Sequence, residues 1–211
     1  MCMSSPDLIL ASASPRRLEL LTTIDVVACA CPVDLDETPH VDEPARDYVM
    51  RLAREKALAG QQAAGSELPV LGGDTALSVD GQILGKPESD DQARAWLRNL
   101  SGRSHQVISA VAVTGPAGLL EACVISDVHF RLMEEAEINA YVASGEGRDK
   151  AGGYALQGRA AMFVSRIEGS WSGIVGLPLC ETAQLLARQG VTPWLTGNEL
   201  TGNESIRGGA S

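Results

Sequence analysis

Segments that favour β-strands alternate with segments that favour α-helices along most of the chain, and this alternation constrains the fold more than any other feature. The strand-like runs are 7–12, 26–33, 69–79, 82–86, 105–114 and 119–132. The helical patterns are 16–24, 44–65, 89–100, 134–144 and 178–189. Such alternation is typical of α/β proteins, so the sequence predicts an α/β domain over residues 1–191 with a mixed sheet.

Turn signals predict several of the connections. Asp80-Gly81 is a strong two-residue hairpin signal between 69–79 and 82–86. The glycine-rich stretch 147–158 is predicted to be a loop, and 162–167 and 171–175 are predicted to form a hairpin around Glu168-Gly169. Residues 192–211 are polar and repeat Thr-Gly-Asn-Glu, so we expect a disordered tail there.

The charge balance limits the partners of this chain. Its 211 residues carry a formal net charge of −10, which argues against binding to nucleic acid or to an anionic membrane surface. An acidic protein that handles a polyanionic substrate must concentrate its few cations in one place. Each cluster of arginine or lysine is therefore a candidate site.

Other features indicate a cytoplasmic protein. Residues 1–7 show no signal-peptide pattern. The five cysteines lack Cys-x-x-Cys spacing, which predicts reduced and mostly buried thiols rather than disulfides or a zinc site. The three histidines are scattered and are predicted to be structural or surface residues.

The first candidate site is the stretch from Ser12 to Arg17. Ser14 is a good N-cap and Pro15 a good first helical residue, which places Arg16 and Arg17 in a first turn, where positive charge is unfavourable. A triphosphate held by backbone N–H groups, hydroxyls and both guanidinium groups would remove this conflict. A solvated helix start is the alternative.

The second candidate is Gly72-Gly73-Asp74-Thr75. Asp74 follows an apolar run near the core of the sheet, where a charge is costly unless it is paired or bound to a metal. A two-residue turn at Asp80-Gly81 would place Lys86 opposite Thr75 and diagonal to Asp74. A structural ion pair is the alternative, and a bulge would change the register.

Two further candidates carry less weight alone. They are Asp36 and Glu37 with Lys56, and the stretch 149–158, whose glycines permit close approach to a flat ligand. The alternatives are a solvated acidic loop and a mobile surface loop. The sequence lacks the motifs Gly-x-x-x-x-Gly-Lys-Ser/Thr, Gly-x-Gly-x-x-Gly and Gly-x-Ser-x-Gly, which argues against P-loop NTPases, dinucleotide-binding folds and α/β hydrolases.

Taken together, these segments resemble the Maf family of nucleotide pyrophosphatases. The matching motifs are LASASPRR (10–17), DETP (36–39), LAREKA (52–57), GGDT (72–75), GKP (85–87), LSGRSH (100–105), DKAGGYALQG (149–158) and VGLPL (175–179). Each motif is weak by itself, but the set follows the order of the family and is specific.

The resemblance implies a two-lobed mixed sheet with a deep central cleft, similar to the inosine triphosphate pyrophosphatases. It also implies hydrolysis of a nucleoside triphosphate between the α and β phosphates with Mg²⁺ or Mn²⁺. By position, Asp74 matches the catalytic acid–base residue, and Asp74 and Glu37 are the implied metal-associated carboxylates. The residues implied to bind substrate or its phosphates are Ser12, Arg16, Arg17, Lys56, Thr75, Lys86 and Gln157, among which Arg16, Thr75 and Gln157 match positions associated with substrate choice.

Gln157 favours dTTP and UTP as substrates. A carboxamide has an acceptor and two donors, which suits the N3–H and O4 of uracil and thymine. The subgroup acting on 7-methylguanosine triphosphate has an acidic residue at this position, and a carboxylate suits the adjacent donors of guanine. The alternative is a non-catalytic nucleotide-binding regulator of cell division, because the family has been linked to septum formation. The alternatives also include modified pyrimidine nucleotides as substrates and a homodimer as the assembly.

Overall fold

The computed structural model describes residues 5–195, and within them strands and helices alternate as expected. The strands are β1 (Leu8–Leu10), β2 (Ala28–Ala30), β3 (Val70–Val79), β4 (Gln82–Leu84), β5 (Ser104–Thr114), β6 (Leu120–Phe130) and β7 (Val164–Glu168). The α-helices are α1 (Pro15–Thr22), α2 (Ala45–Ala64), α3 (Asp90–Leu100), α4 (Glu135–Ala143), α5 (Trp171–Val175) and α6 (Leu179–Arg188). Two short 3₁₀ helices, Ala151–Gly153 and Arg159–Phe163, lie between α4 and β7.

The described strands form one mixed sheet of seven strands, which confirms the predicted α/β class. Its order is β2-β1-β3-β5-β6-β7, with β4 paired to β3 beside this path. Strand β1 is parallel to β2 and β3, whereas the pairs β3–β4, β3–β5, β5–β6 and β6–β7 are antiparallel. The long strands β3, β5 and β6 therefore form the continuous centre of the sheet.

The two largest apolar clusters of the described chain lie at opposite ends of these long strands and define two lobes. The first lobe packs α1 and α6 around Leu8, Leu71 and Leu186, and the second packs α3 and α4 around Leu97 and Phe163. Strand β3 contributes Leu71 to the first core and Leu77 and Val79 to the second. Because the same strands enter both cores, the two lobes are joined by the sheet itself.

The predicted hairpin of 162–167 and 171–175 was wrong. Residues 164–168 form β7 against β6, but 171–175 form α5. The Ser170 hydroxyl accepts a hydrogen bond from the Gly173 N–H at 3.0 Å, which caps this short helix. The cap overrides the apolar, strand-like composition of Trp171–Val175.

The cysteines were also predicted incorrectly in one respect. The four in the described residues are free, as expected, but Cys29 and Cys180 are exposed and Cys31 and Cys123 are half-buried. Strand β2 is short and lies at the edge of the sheet, so it leaves Cys29 open to solvent. Cys2 lies outside the described residues.

The histidines occupy the expected kinds of position, because His105 is buried, His129 half-buried and His40 exposed. Of the predicted tail, residues 192–195 form a turn and Trp194 packs against the first core. Residues 196–211 lie outside the described part of the chain. Within 5–195, no helix is both long and apolar enough to cross a membrane.

Candidate active site

A cleft of about 870 Å³ lies where the two lobes meet. Small-molecule sites typically occupy about 300–1,000 Å³, so the cleft is large enough for a nucleotide. It brings together the nine residues that the resemblance assigned to the site: Ser12, Arg16, Arg17, Glu37, Lys56, Asp74, Thr75, Lys86 and Gln157. Asp36, the other candidate from the sequence, is not among the lining residues and accepts a hydrogen bond from the Thr38 N–H at 2.9 Å.

Ser12 and Arg17 shape the loop between β1 and α1. Ser14 occupies the N-cap position, but its side chain makes no cap hydrogen bond, and its N–H donates to the Ser12 hydroxyl at 3.2 Å. The Arg17 guanidinium donates through Nη1 to the Ser12 hydroxyl at 3.0 Å and through Nε to the Gly176 carbonyl at 2.9 Å. These bonds tie the loop to the segment before α6.

Only 9% of Arg17 is exposed, and its guanidinium has no carboxylate in salt-bridge contact within residues 5–195. Burial lowers the pKa of Arg17, the charge of Asp74 opposes this effect, and the neighbouring Arg16 adds to it. The first turn of α1 contains no acidic residue. The N-terminal end of α1 would therefore stabilise a bound anion.

Lys56 lies between two carboxylates in the cleft. Its Nζ is 2.8 Å from Oδ1 of Asp74 and 2.6 Å from Oε1 of Glu37. Lys56 and Asp74 are 7% and 8% exposed, whereas the Glu37 side chain is about half exposed. The ammonium holds both carboxylates in place and offsets the cost of burying Asp74.

Gly72 explains how Lys56 reaches Asp74. Gly72 and Asp74 are two residues apart on β3 and therefore share the face of the sheet that packs against α2. A Cβ at Gly72 would lie 2.3 Å from the Ala53 carbonyl oxygen and 2.5 Å from the Ala57 nitrogen. The missing side chain lets the backbone of α2 lie directly on β3, with Lys56 one turn along.

The loop that carries Glu37 is attached to the same helix. The hydroxyl of Tyr48 donates to the Glu37 carbonyl at 3.0 Å. Burial raises the pKa of Tyr48 to about 12, with further contributions from the charges of Asp74 and Glu37, so this donor stays protonated at neutral pH. Arg51, one turn further, donates to Glu43 at 2.7 Å and to the Thr38 carbonyl at 3.3 Å.

The predicted hairpin register is confirmed near the turn but not at Lys86. The pairs Val79↔Gln82, Ser78↔Ile83 and Leu77↔Leu84 are those expected from a two-residue turn. Strand β4 then ends, because the Gly85 carbonyl accepts from the Gly152 N–H at 2.9 Å instead of continuing the ladder. Lys86 therefore does not pair with Thr75, although both line the cleft.

Thr75 is held by its partner in the central ladder. It lies opposite Ser109 on β5, and the two hydroxyl oxygens are 2.9 Å apart. The Ser109 hydroxyl donates to the Gly173 carbonyl at 2.6 Å, so the Thr75 hydroxyl donates either to Ser109 or to the Gly176 carbonyl, which is 3.4 Å away. These contacts join the centre of the sheet to α5.

Gln157 lies on a turn in the opposite wall of the cleft. The N–H of Gly158 donates to the Ala155 carbonyl at 3.1 Å, and Gln157 is the exposed third residue of this turn. The adjacent Asp149 and Lys150 also line the cleft and contact each other. The bond from Lys150 lowers the pKa of Asp149.

The free positive charge of the described chain is concentrated here. In residues 5–195 five cationic side chains make no ion pair: Arg16, Arg17, Lys86, Arg159 and Arg188. Arg16, Arg17 and Lys86 line the cleft. Although the net charge of the protein is −10, three of the five cations without an ion pair in residues 5–195 lie in this cleft.

Several polar groups of the cleft were missed by sequence reasoning. They are Tyr48, Glu146 and the carbonyl of Gly176. Tyr48 lies on the same face of α2 as Lys56, eight residues earlier, and that spacing could have indicated it. The Gly176 carbonyl offers no such signal, because its position depends on packing between distant segments.

The chain matches the model of a family described as Maf-like protein over residues 7–189. It is 50% identical over 185 residues to a Chromobacterium violaceum protein named dTTP/UTP pyrophosphatase, covering 86% of this chain and 93% of that protein. It is also 50% identical over 188 residues to an Alcanivorax borkumensis protein of the same name, covering 89% of this chain and 97% of that one.

Among solved structures, a HAM1 protein from Coxiella burnetii is 20% identical, with a TM-score of 0.44 over 75% of this chain and 92% of that chain. The family match spans every motif that lines the cleft, and the two relatives are matched over nearly their full length. This protein is a member of the Maf family.

Proposed function

We propose that this protein hydrolyses dTTP and UTP in the cytoplasm, giving the nucleoside monophosphate and pyrophosphate. The observation that carries the proposal is the cleft itself, where three unpaired cations lie with the pair Asp74–Lys56. The names of the 50%-identical relatives support the substrate.

Binding of the triphosphate follows from the distribution of charge. Arg16 and Arg17 at the start of α1, and Lys86 from the other lobe, would neutralise the phosphate oxygens. Ser12 fixes the direction of the Arg17 guanidinium, because its hydroxyl accepts from Nη1. These cations would also stabilise the charge that develops on the departing pyrophosphate.

Asp74 is the group best placed to activate water. Lys56 donates to Oδ1 and leaves Oδ2 to accept a proton from a water molecule. The oxygen of this water would attack the α-phosphorus, the bond from this phosphorus to the bridging oxygen would break, and pyrophosphate would leave. Lys56 holds the Asp74 carboxylate in a fixed orientation for this step.

The carboxylates of Asp74 and Glu37 fit a divalent cation that is shared with substrate. No cluster of three or more His, Cys, Asp or Glu side chains suited to a metal occurs within residues 5–195. Mg²⁺ is typically held by one or two carboxylates together with substrate phosphates, and these two carboxylates lie 2.6 and 2.8 Å from one ammonium. Mg²⁺ or Mn²⁺ held by Asp74 and Glu37 would neutralise phosphate charge and polarise the attacking water.

The carboxamide of Gln157 would read the base. Its acceptor and its donor match N3–H and O4 of uracil and thymine, whereas cytosine presents the reverse pattern, which the carboxamide would match only after rotating by 180°. A site built for one hydrogen-bonding edge discriminates against its complement. We therefore expect UTP to be preferred over CTP.

The test is a panel of dTTP, UTP, CTP, dATP and 7-methyl-GTP with Mg²⁺ or Mn²⁺, in which the products are identified. We expect monophosphate and pyrophosphate from dTTP and UTP, and in ¹⁸O-labelled water the label should enter the monophosphate. Release of orthophosphate would contradict cleavage at the α-phosphorus. Tight binding of dTTP without turnover would favour the nucleotide-binding regulator instead.

A further inference from the structure

The turn that carries Gln157 is held at both ends by side chains outside it. The N–H of Ala155 donates to the hydroxyl of Tyr141 at 3.1 Å. The N–H of Arg159 donates to Oε2 of Glu146 at 3.1 Å. The hydrogen bond from Gly158 to Ala155 closes the turn between these two anchors.

Tyr141 lies in the last turn of α4 and Glu146 in the turn that follows it, and α4 belongs to the second core. Tyr141 is 2% exposed, and its ring packs edge-on against Phe163 with centroids 5.7 Å apart. Ser144 donates to the Tyr141 carbonyl at 2.6 Å, and Glu146 donates its N–H to the Ser144 hydroxyl at 3.3 Å. The two anchoring side chains therefore have a fixed position relative to each other.

Glu146 also contacts the turn directly. A Cβ at Gly158 would lie 2.3 Å from Oε1 of Glu146, so only glycine allows the carboxylate to pack there. This Oε1 atom is buried and has no hydrogen-bond partner within residues 5–195. The carboxylate of Glu146 is therefore packed against the backbone of the turn as well as hydrogen-bonded to it.

The Tyr141 phenol stays neutral at physiological pH while it accepts the hydrogen bond from Ala155. Burial raises its pKa, the hydrogen bond from Ala155 opposes this effect, and the nearby carboxylate of Glu146 adds to it. The Tyr141 oxygen therefore accepts the Ala155 N–H over the whole physiological pH range. The anchor does not depend on a titration near neutral pH.

We infer that Tyr141 and Glu146 are positioning residues that hold the 155–158 turn, and with it Gln157, at a fixed place in the wall of the cleft beside the pyrimidine. This inference rests on the proposed function, because it concerns the choice of base. The two side chains act through the backbone of the turn. Removing either anchor should therefore weaken discrimination between bases more than it weakens phosphate chemistry.

Three variants separate positioning from other roles. Tyr141→Phe removes the acceptor for Ala155 but keeps the ring in the core. Glu146→Ala removes the acceptor for Arg159, whereas Glu146→Gln keeps a carbonyl oxygen that can accept the same bond. The control is Glu135→Ala, on α4 but outside the cleft, which removes an exposed pair with Arg98 and a hydrogen bond from the Asn139 amide.

The readout is kcat/KM for UTP and for CTP, together with Tm. The ratio of the two efficiencies should fall about fivefold in Tyr141→Phe and Glu146→Ala, as expected for loss of one hydrogen bond. It should stay within about twofold of wild type in Glu146→Gln and Glu135→Ala. Gln157→Ala should lower the ratio at least as far as the two anchor variants.

An unchanged ratio in a folded Tyr141→Phe protein would overturn the inference, even if Glu146→Ala fails to fold. A loss in Glu146→Gln as large as that in Glu146→Ala would also overturn it, because the charge rather than the hydrogen bond would then matter. These results differ from failure of the proposed function. In that case the wild-type protein would turn over neither UTP nor dTTP, or would show no preference for UTP over CTP.

Discussion

Replacement of Gly72 by alanine tests whether the contact of α2 with β3 builds the active site. The new Cβ would lie 2.3 Å from the Ala53 carbonyl oxygen, whereas ordinary contacts begin near 3.4 Å. The helix must therefore recede by about 1 Å. Both atoms nearest the new methyl group belong to backbone, so no side-chain rotation can relieve the overlap.

The size of the effect follows from this displacement. Overpacking of this kind typically costs about 1–3 kcal/mol of unfolding free energy. For a protein of this size, each kcal/mol lowers Tm by roughly 2–4 °C. Lys56 moves with the helix, and a misplacement of about 1 Å at a reacting centre can cost about 100-fold in rate.

The assay is Tm by calorimetry together with kcat for dTTP, measured well below the melting transition. Gly85→Ala is the control for Tm, because a Cβ at Gly85 meets no atom within 4 Å. A wild-type Tm for Gly72→Ala would contradict the conclusion that the backbone of α2 lies directly against β3 at Gly72. If Tm falls but kcat stays within twofold, Lys56 does not need its present position relative to Asp74.

Three further substitutions test the roles of individual residues. Asp74→Asn should keep the fold and lower kcat by about 10²–10⁴-fold, since the proton acceptor is lost; activity within threefold of wild type would exclude Asp74 as the base. Arg17→Ala should lower kcat/KM for dTTP by about tenfold to a hundredfold, as expected for a charge-assisted contact of about 1.5–3 kcal/mol; an equal loss on a non-nucleotide ester would contradict the phosphate assignment. Gln157→Glu should lower kcat/KM for UTP by about tenfold or more, because a carboxylate cannot donate to O4; an unchanged preference for UTP over CTP would show that Gln157 does not contact the base.

Two local features of the cleft could be predicted from the sequence alone. Ser14-Pro15 begins a helix, so Arg16 and Arg17 had to lie at its positive end. Asp80-Gly81 is a two-residue turn, so the register of β3 and β4 near it was fixed. In both cases the geometry depends on residues that are adjacent in the chain.

Predictions failed where a local signal met a competing contact. Residues 171–175 have the composition of a strand but form a helix, because the Ser170 hydroxyl caps them. Lys86 does not continue the hairpin, because Gly85 bonds to Gly152 in the 3₁₀ turn 67 residues later. Sequence periodicity carries no information about a partner that far along the chain.

The sequence by itself therefore determined the fold class, and its resemblance to a family grouped the nine residues that line the cleft. Only the tertiary structure decided which of these nine side chains contact one another. Lys56 meets Asp74 because Gly72 lets two backbones approach, and Arg17 is fixed by the carbonyl of Gly176, 159 residues away. Contacts of this kind depend on the packing of whole elements, and a backbone carbonyl leaves no trace in the identity of its residue.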